Sequence, residues 1–196
     1  MTLHESALDV GPLESYAAAR GIVLISGVER SIEGRHVLLL NFPRGTEDVH
    51  TFDDLRRLKA QAPGGLVVAP HPFFPGGQSL FGTLTEHADL FDAVEYNAMY
   101  TASLNFNGRA AAWARRHGKP MVGNGDVHRL VQLGTTYSLV DAAPNAAAIC
   151  AAIAAGRVRV ITQPVSWATA ITVVGSLLAL DILGARNWLR PQPASV

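Results

Sequence analysis

Short apolar runs and longer amphipathic stretches alternate along the chain. "GIVLISG" (21–27), "HVLLLNF" (36–42), "GLVVAP" (65–70), "AVEYNAMY" (93–100), "KPMVG" (119–123), "TTYSLV" (135–140) and "RVRVI" (157–161) read as strands, being mostly rich in β-branched residues and bounded by turn formers. Between them lie helical patterns. "PLESYAAAR" (12–20) opens on proline and stops at Gly21. "FDDLRRLKAQ" (52–61) sets acids before bases, in keeping with the helix dipole. "NFNGRAAAWARRH" (105–117) and "PNAAAICAAIAA" (144–155) each end at a glycine. Strand–helix alternation of this kind predicts an α/β domain with a largely parallel sheet, whose ligands sit at the carboxyl ends of the strands.

Those strand ends carry the polar chemistry. The first strand runs into Val28-Glu29, the third into His71-Pro72, and the fifth into Asn124-Gly125-Asp126-Val127-His128. His36 opens a strand, and His4 lies at the very start of the chain. In an extended segment residues two apart face one side, so Asp126 and His128 are placed to reach one centre. Histidine and carboxylate together suit borderline and hard divalent ions such as zinc, manganese and iron. Taken singly, each also reads as an ordinary loop or capping residue; their shared position is what points to a metal.

Composition narrows the class. The 196 residues hold 16 basic and 16 acidic side chains, so the chain has no broad field for nucleic acid or anionic lipid. The single cysteine, Cys150, sits in an alanine-rich run and forms neither an internal disulfide nor a cysteine-rich zinc site. No secretory pattern opens the sequence, which makes the cytoplasm the expected compartment. His50, His87 and His117 fall in no ligand pattern. Arg35 and Arg129 adjoin ligand positions and are the candidate phosphate-binding cations, with solvated arginine as the other reading of each.

In order, "TLH" (2–4), "GVE" (27–29), "GRHVLLLNF" (34–42), "APHPFF" (69–74) and "GNGDVH" (123–128) resemble the successive motifs of the polymerase and histidinol phosphatase (PHP) superfamily. The resemblance runs from residue 1 to about 165. It implies a metal-dependent phosphoesterase built as a distorted seven-stranded β/α barrel with a site for two or three ions of manganese, zinc or iron. Carried over by position, it implies metal ligation by His4, Glu29, His36, His71, Asp126 and His128, with Glu29 in the place of an often bridging ligand. Glu29, His71, Asp126 and His128 would carry the catalysis, and His71 or His128 would protonate the leaving group. A small phosphomonoester or nucleotide phosphoester would be the substrate. The family's first motif, H-x-H, is absent, which reads as an amino-terminal truncation that removes the first strand. A non-catalytic, PHP-like interaction or tethering module is the alternative, and exposed strand edges would favour self-association.

The composition changes after Pro164. Residues 165–180 are uncharged, Asp181 follows, and Trp167 and Trp188 bracket the segment. The expected organisation is a phosphoesterase-like domain over 1–163, an apolar helix over 164–189 and a tail over 190–196. Two placements of the helix stay open: docked on the barrel, or membrane-associated through 165–184.

Overall fold

The computed structural model describes residues 2–7, 9–127 and 129–176. Six strands form one mixed sheet in chain order: β1 (Thr2–His4), β2 (Gly27–Ile32), β3 (Arg35–Leu40), β4 (Leu66–Ala69), β5 (Ala93–Asn97) and β6 (Met121–Asn124). β1–β2, β4–β5 and β5–β6 pair in parallel, as the helix-separated pattern predicts. β2–β3 and β3–β4 are antiparallel, which the pattern did not anticipate. The reason is local. Glu33 and Gly34 adopt φ of 50° and 75°, and positive φ at both central residues closes a two-residue hairpin with Ile32 opposite Arg35. The strand expected at 21–27 consequently lies later, from Gly27 onward. A Cβ on Gly27 would lie 2.5 Å from the Leu40 side chain and 2.9 Å from the Leu39 carbonyl oxygen, so only glycine fits there.

Helices flank the strands: α1 (Gly11–Ala18), α2 (Phe52–Gln61), α3 (Thr83–Glu86), α4 (Asn107–Arg116) and α5 (Ala146–Ala154). α2 begins where Thr51 and Asp54 form a reciprocal capping box, with Asp54 N–H donating to Thr51 Oγ1 and Thr51 N–H to Asp54 Oδ2. The short α3 had no periodic signal in the sequence.

Alternation along the strands divides the core. Val28, Ile32, Val37, Leu39, Val67 and Val94 point to one face and are covered by Phe52 and Leu55 of α2, Leu84 of α3 and Trp113 of α4. Leu38, Leu66, Val68, Ala93 and Val122 point to the other, where Cys150 and Ile153 of α5 cover part of them. Cys150 is thus a buried packing residue whose thiol burial pushes up from its ordinary range. Residues of both edge strands, His4 from β1 and Asn124 from β6, line a single cavity together with Leu38, Leu40 and Glu95, so the sheet is curled around that face.

The seven-stranded barrel is therefore, among the described residues, a curled six-stranded half-barrel. β7 (Thr136–Val140) and β8 (Val158–Thr162) form a separate antiparallel ribbon. The ribbon meets β6 through a side chain instead of a ladder: Gly123 N–H donates to Ser138 Oγ at 2.9 Å, and Ser138 Oγ donates back to the Gly123 carbonyl at 3.3 Å. A Cβ at Gly123 would lie 2.8 Å from the Tyr137 carbonyl oxygen, so the close approach also needs glycine.

Past Pro164 the chain is helical over 167–176, and the expected segment beyond residue 176 lies outside the described residues. This terminal helix is tied to the domain. Val165 N–H donates to the Tyr100 carbonyl, Trp167 Nε1 to Ser103 Oγ and Arg129 Nε to Ser176 Oγ, at 2.9, 3.1 and 3.0 Å. Among the described residues no helix is long and apolar enough to cross a membrane.

Candidate metal centre

β2 and β3 bring the first ligands together. Glu29 lies opposite Leu38 in the hairpin, and Ser31 opposite His36, so Glu29 and His36 are diagonal neighbours on the concave face. Their side chains meet with Glu29 Oε1 2.8 Å from His36 Nδ1. His71, just past β4, sets Nε2 3.1 Å from the same oxygen and 3.4 Å from His36 Nδ1. His4, at the end of β1 beside Glu29, places Nδ1 3.7 Å from Glu29 Oε2. Three imidazoles thus converge on one carboxylate. His4, Glu29 and His36 each offer a ligand atom within 4.8 Å of the other two.

β5 supplies a second acidic group. Glu95 and Asn97 alternate with outward Val94 and are both buried. Glu95 Oε2 accepts from the His71 backbone N–H at 2.5 Å and from Asn97 Nδ2 at 3.1 Å. Asn97 Nδ2 also donates to Asp126 Oδ2 at 2.9 Å, linking the two carboxylates. The Asn97 backbone N–H donates to Asn107 Oδ1 and its carbonyl accepts from Asn107 Nδ2, both at 2.9 Å, so α4 holds this residue in place. His71 and Asp126 adopt φ of 28° and 39°, conformations that non-glycine residues take at a cost of about 1 kcal/mol or more and that gather at ligand sites.

The charges are strongly coupled. Burial pushes Glu29 upward, but hydrogen bonds from His36 and His71 outweigh it and hold the carboxyl well below the usual range. Burial works against the His71 cation. The Glu29 hydrogen bond and the charges of Glu95, Asp126 and Glu29 prevail, raising His71 to about 9. These two shifts describe one ion pair from its two sides. Burial and then the neighbouring Asp126 charge push Glu95 upward.

The donor set fits a divalent ion. It is a mixed imidazole and carboxylate shell, half-closed, with one carboxylate shared by several histidines and an acid pair, buried Glu95 and half-buried Asp126, that a cation would relieve. His4, Glu29, His36 and His71 are the residues that would hold it, with Glu95 and Asp126 facing the neighbouring position. A cavity of about 490 Å³ opens onto His4, Glu29, Glu95 and Asp126.

The other expected site residues fall as follows. His128 lies outside the described residues. Arg35 Nη1 donates to the carbonyls of Gly77 and Ser79 at 2.7 and 2.9 Å, pinning the loop that follows His71. Arg129 reaches Ser176, as described above. Of the unassigned histidines, His87 stacks on Phe52 and His117 on Trp113, with ring centroids 4.1 and 4.0 Å apart, while His50 Nδ1 lies 3.4 Å from Arg30 Nη2. Glu95 and Asn97 went unrecognised in the sequence. Their signal was an acid and an amide two apart inside an otherwise apolar strand, which places both on one face.

Comparison with known proteins agrees with this architecture. Residues 105–158 match the sequence family described as PHP-associated. A solved two-domain protein of Bacteroides vulgatus, containing a predicted PHP-like metal-dependent phosphoesterase, superposes with a TM-score of 0.55 at 19% identity. That match covers 76% of this chain and 47% of the other. PsfC of Pseudomonas syringae superposes with a TM-score of 0.50 at 19% identity, covering 80% of this chain and 65% of that one. The chain thus spans about half the length of the first structure and just under two thirds of the second. No curated protein matches the sequence. The fold is PHP-like.

Proposed function

We propose that the chain carries the metal centre of a phosphoester hydrolase. The observation that carries this reading is the convergence of His4, His36 and His71 on the Glu29 carboxylate at a strand-end cavity. The PHP-like fold supports it. A divalent ion bound there, manganese, zinc or iron, would draw in the phosphoryl oxygens and lower the pKa of a water ligand. Glu29 keeps its negative charge and orients the imidazoles of His36 and His71 by direct hydrogen bonds. Asn97 fixes Glu95 and Asp126 on the opposite side of the cavity. In the reaction the water oxygen bonds to phosphorus and the phosphorus–oxygen bond to the leaving group breaks. That oxygen takes up a proton, from His71 Nε2 where this imidazole is not engaged with metal, or from His128. Arg35, beside His36, and Arg129, beside His128, would balance phosphate charge.

The test is hydrolysis of p-nitrophenyl phosphate by the chain with added manganese, against a Glu29→Ala variant. Manganese-dependent turnover that falls at least ~100-fold in the variant is the expected result. Metal-dependent phosphate binding without turnover would assign the chain to a non-catalytic binding module. Turnover unchanged by Glu29→Ala would overturn the site.

A further inference from the structure

A second cavity, of about 500 Å³, lies where the loops after β4 and β5 meet the terminal helix, and its walls are almost wholly apolar. Phe74, Met99, Leu104 and Phe106 form one side, and Trp167 and Ile171 of the terminal helix form the other. The volume lies in the range of small-molecule sites. Leu104, Trp167 and Ile171 are 45%, 53% and 67% exposed, so the cavity opens to solvent along an apolar rim.

The chain links the wall of this cavity to the metal centre at two points. Phe74 follows His71 by three residues, and its N–H donates to the His71 carbonyl at 3.1 Å. Met99 follows Asn97 by two, and its N–H donates to Asn97 Oδ1 at 2.7 Å. The terminal helix bridges the same rim. Trp167 bonds Ser103, in the loop after β5, and Ser176 accepts from Arg129, in the loop that carries Asp126. The loops that leave β4 and β5 therefore run from residues of the site to the apolar wall.

The few polar atoms at this wall have partners within the protein. Thr101 Oγ1 accepts from Leu104 N–H at 3.1 Å, and Tyr100 Oη pairs with Thr162 Oγ1 at 2.9 Å. A sugar hydroxyl or the hydrogen-bonding edge of a base would lose its water here without a replacement partner, which costs about 1–3 kcal/mol per group. An aromatic or alkyl group has no such cost and finds the edge-to-face pair of Phe74 and Phe106, with ring centroids 5.3 Å apart.

We infer that this cavity receives the apolar leaving group of the substrate, so that the chain acts on aryl or alkyl phosphoesters; the inference rests on the phosphoesterase reading above. The phosphate occupies the metal side of the rim and the hydrocarbon lies between Phe74 and Ile171. Selection comes from apolar burial beside the centre and not from hydrogen bonds to the leaving group.

The experiment compares two phosphonates whose carbon–phosphorus bond resists hydrolysis, 1-naphthylmethylphosphonate and methylphosphonate. Both are titrated calorimetrically into the full chain with manganese, and into Ile171→Asn and Leu104→Asn variants. Both positions are partly exposed, so the folded state tolerates them, and neither change alters charge. The expected result is binding of the naphthyl compound roughly tenfold or more tighter than methylphosphonate, with the gap closing in both variants while methylphosphonate is unaffected. Equal affinities, or a gap that neither variant changes, overturn the inference. A gap seen only after removal of residues 177–196 also overturns it and makes those residues the occupant. Turnover of 1-naphthyl phosphate, followed alongside, separates the two readings. A gap without turnover keeps the cavity and removes the hydrolase, whereas turnover without a gap keeps the hydrolase and removes the cavity.

Discussion

Glu29 Oε1 and His36 Nδ1 lie 2.8 Å apart because a two-residue turn sets their strands in a register that makes them diagonal neighbours. The same oxygen takes His71 Nε2 at 3.1 Å. One carboxylate thus organises two imidazoles, one from β3 and one from the loop after β4, and its charge is what the His71 cation depends on.

The first prediction follows from that dependence. Glu29→Gln keeps the shape of the side chain and removes its charge. His71, held at about 9 chiefly against the opposing effect of burial, should then titrate markedly lower. Imidazole resonances followed by NMR against pH, on chelator-treated protein, would register the fall. A His71 midpoint still near 9 in the variant would mean that Glu95 and Asp126 alone sustain it.

Stability of the metal-free chain should fall as pH rises. His71 has a folded-state pKa raised from 6.5 to about 9, so its contribution is complete below about 6.5 and disappears as pH passes through 9. Glu95 is also raised, and a carboxyl favoured in its neutral form likewise loses its contribution on the alkaline side. Glu29 acts in the other direction, but only in strong acid, where its depressed carboxyl takes up a proton. Thermal melts in chelator should therefore shift downward between pH 6.5 and 9, and manganese or zinc should blunt the shift. A melting temperature flat or rising across that interval would contradict the charge arrangement.

Arg30 prepares the edge of the site. Nearly buried, it donates from Nη1 to the Glu5 carbonyl at 2.8 Å and from Nη2 to the carbonyls of Glu47 and Val49 at 3.1 and 3.2 Å, and it pairs with the Glu5 carboxylate at 2.8 Å. It thereby ties the turn after His4 to the loop before α2. Arg30→Met leaves those acceptors without a donor and should cost about 2 kcal/mol in urea unfolding. It should also weaken metal binding, because His4 is carried on the freed turn. Unchanged stability would show that water replaces the guanidinium without loss.

Much of the fold was legible because it rests on local signals. The acids and bases of 52–61 and the glycine stop after 105–117 locate α2 and α4 closely. The hairpin of β2 and β3 was hidden because Glu33-Gly34 is a less common pair for such a turn than asparagine or aspartate with glycine, and its strand was read too early. Glu29, His36 and His71 stood out in the sequence as polar residues at apolar strand ends; the hairpin brings the first two within contact and the pairing of β4 with β3 brings the third. Glu95 was missed because an acid inside a strand reads as a defect until its partners are seen. One partner, the His71 N–H, lies in the loop after β4, and the other, Asn97, stands two residues along the same strand. The apolar cavity was equally hidden, since it forms only where the terminal helix crosses the loop after β5.

The central claim is that Glu29 and its histidines hold a divalent ion, and anomalous diffraction tests it most directly. Crystals of the chain soaked in zinc or manganese should show an anomalous peak among His4, Glu29 and His36, within about 2.0–2.3 Å of their ligand atoms, and Glu29→Ala crystals should lack it. A wild-type map with no peak there, or a peak that persists in the Glu29→Ala crystals, would contradict the account.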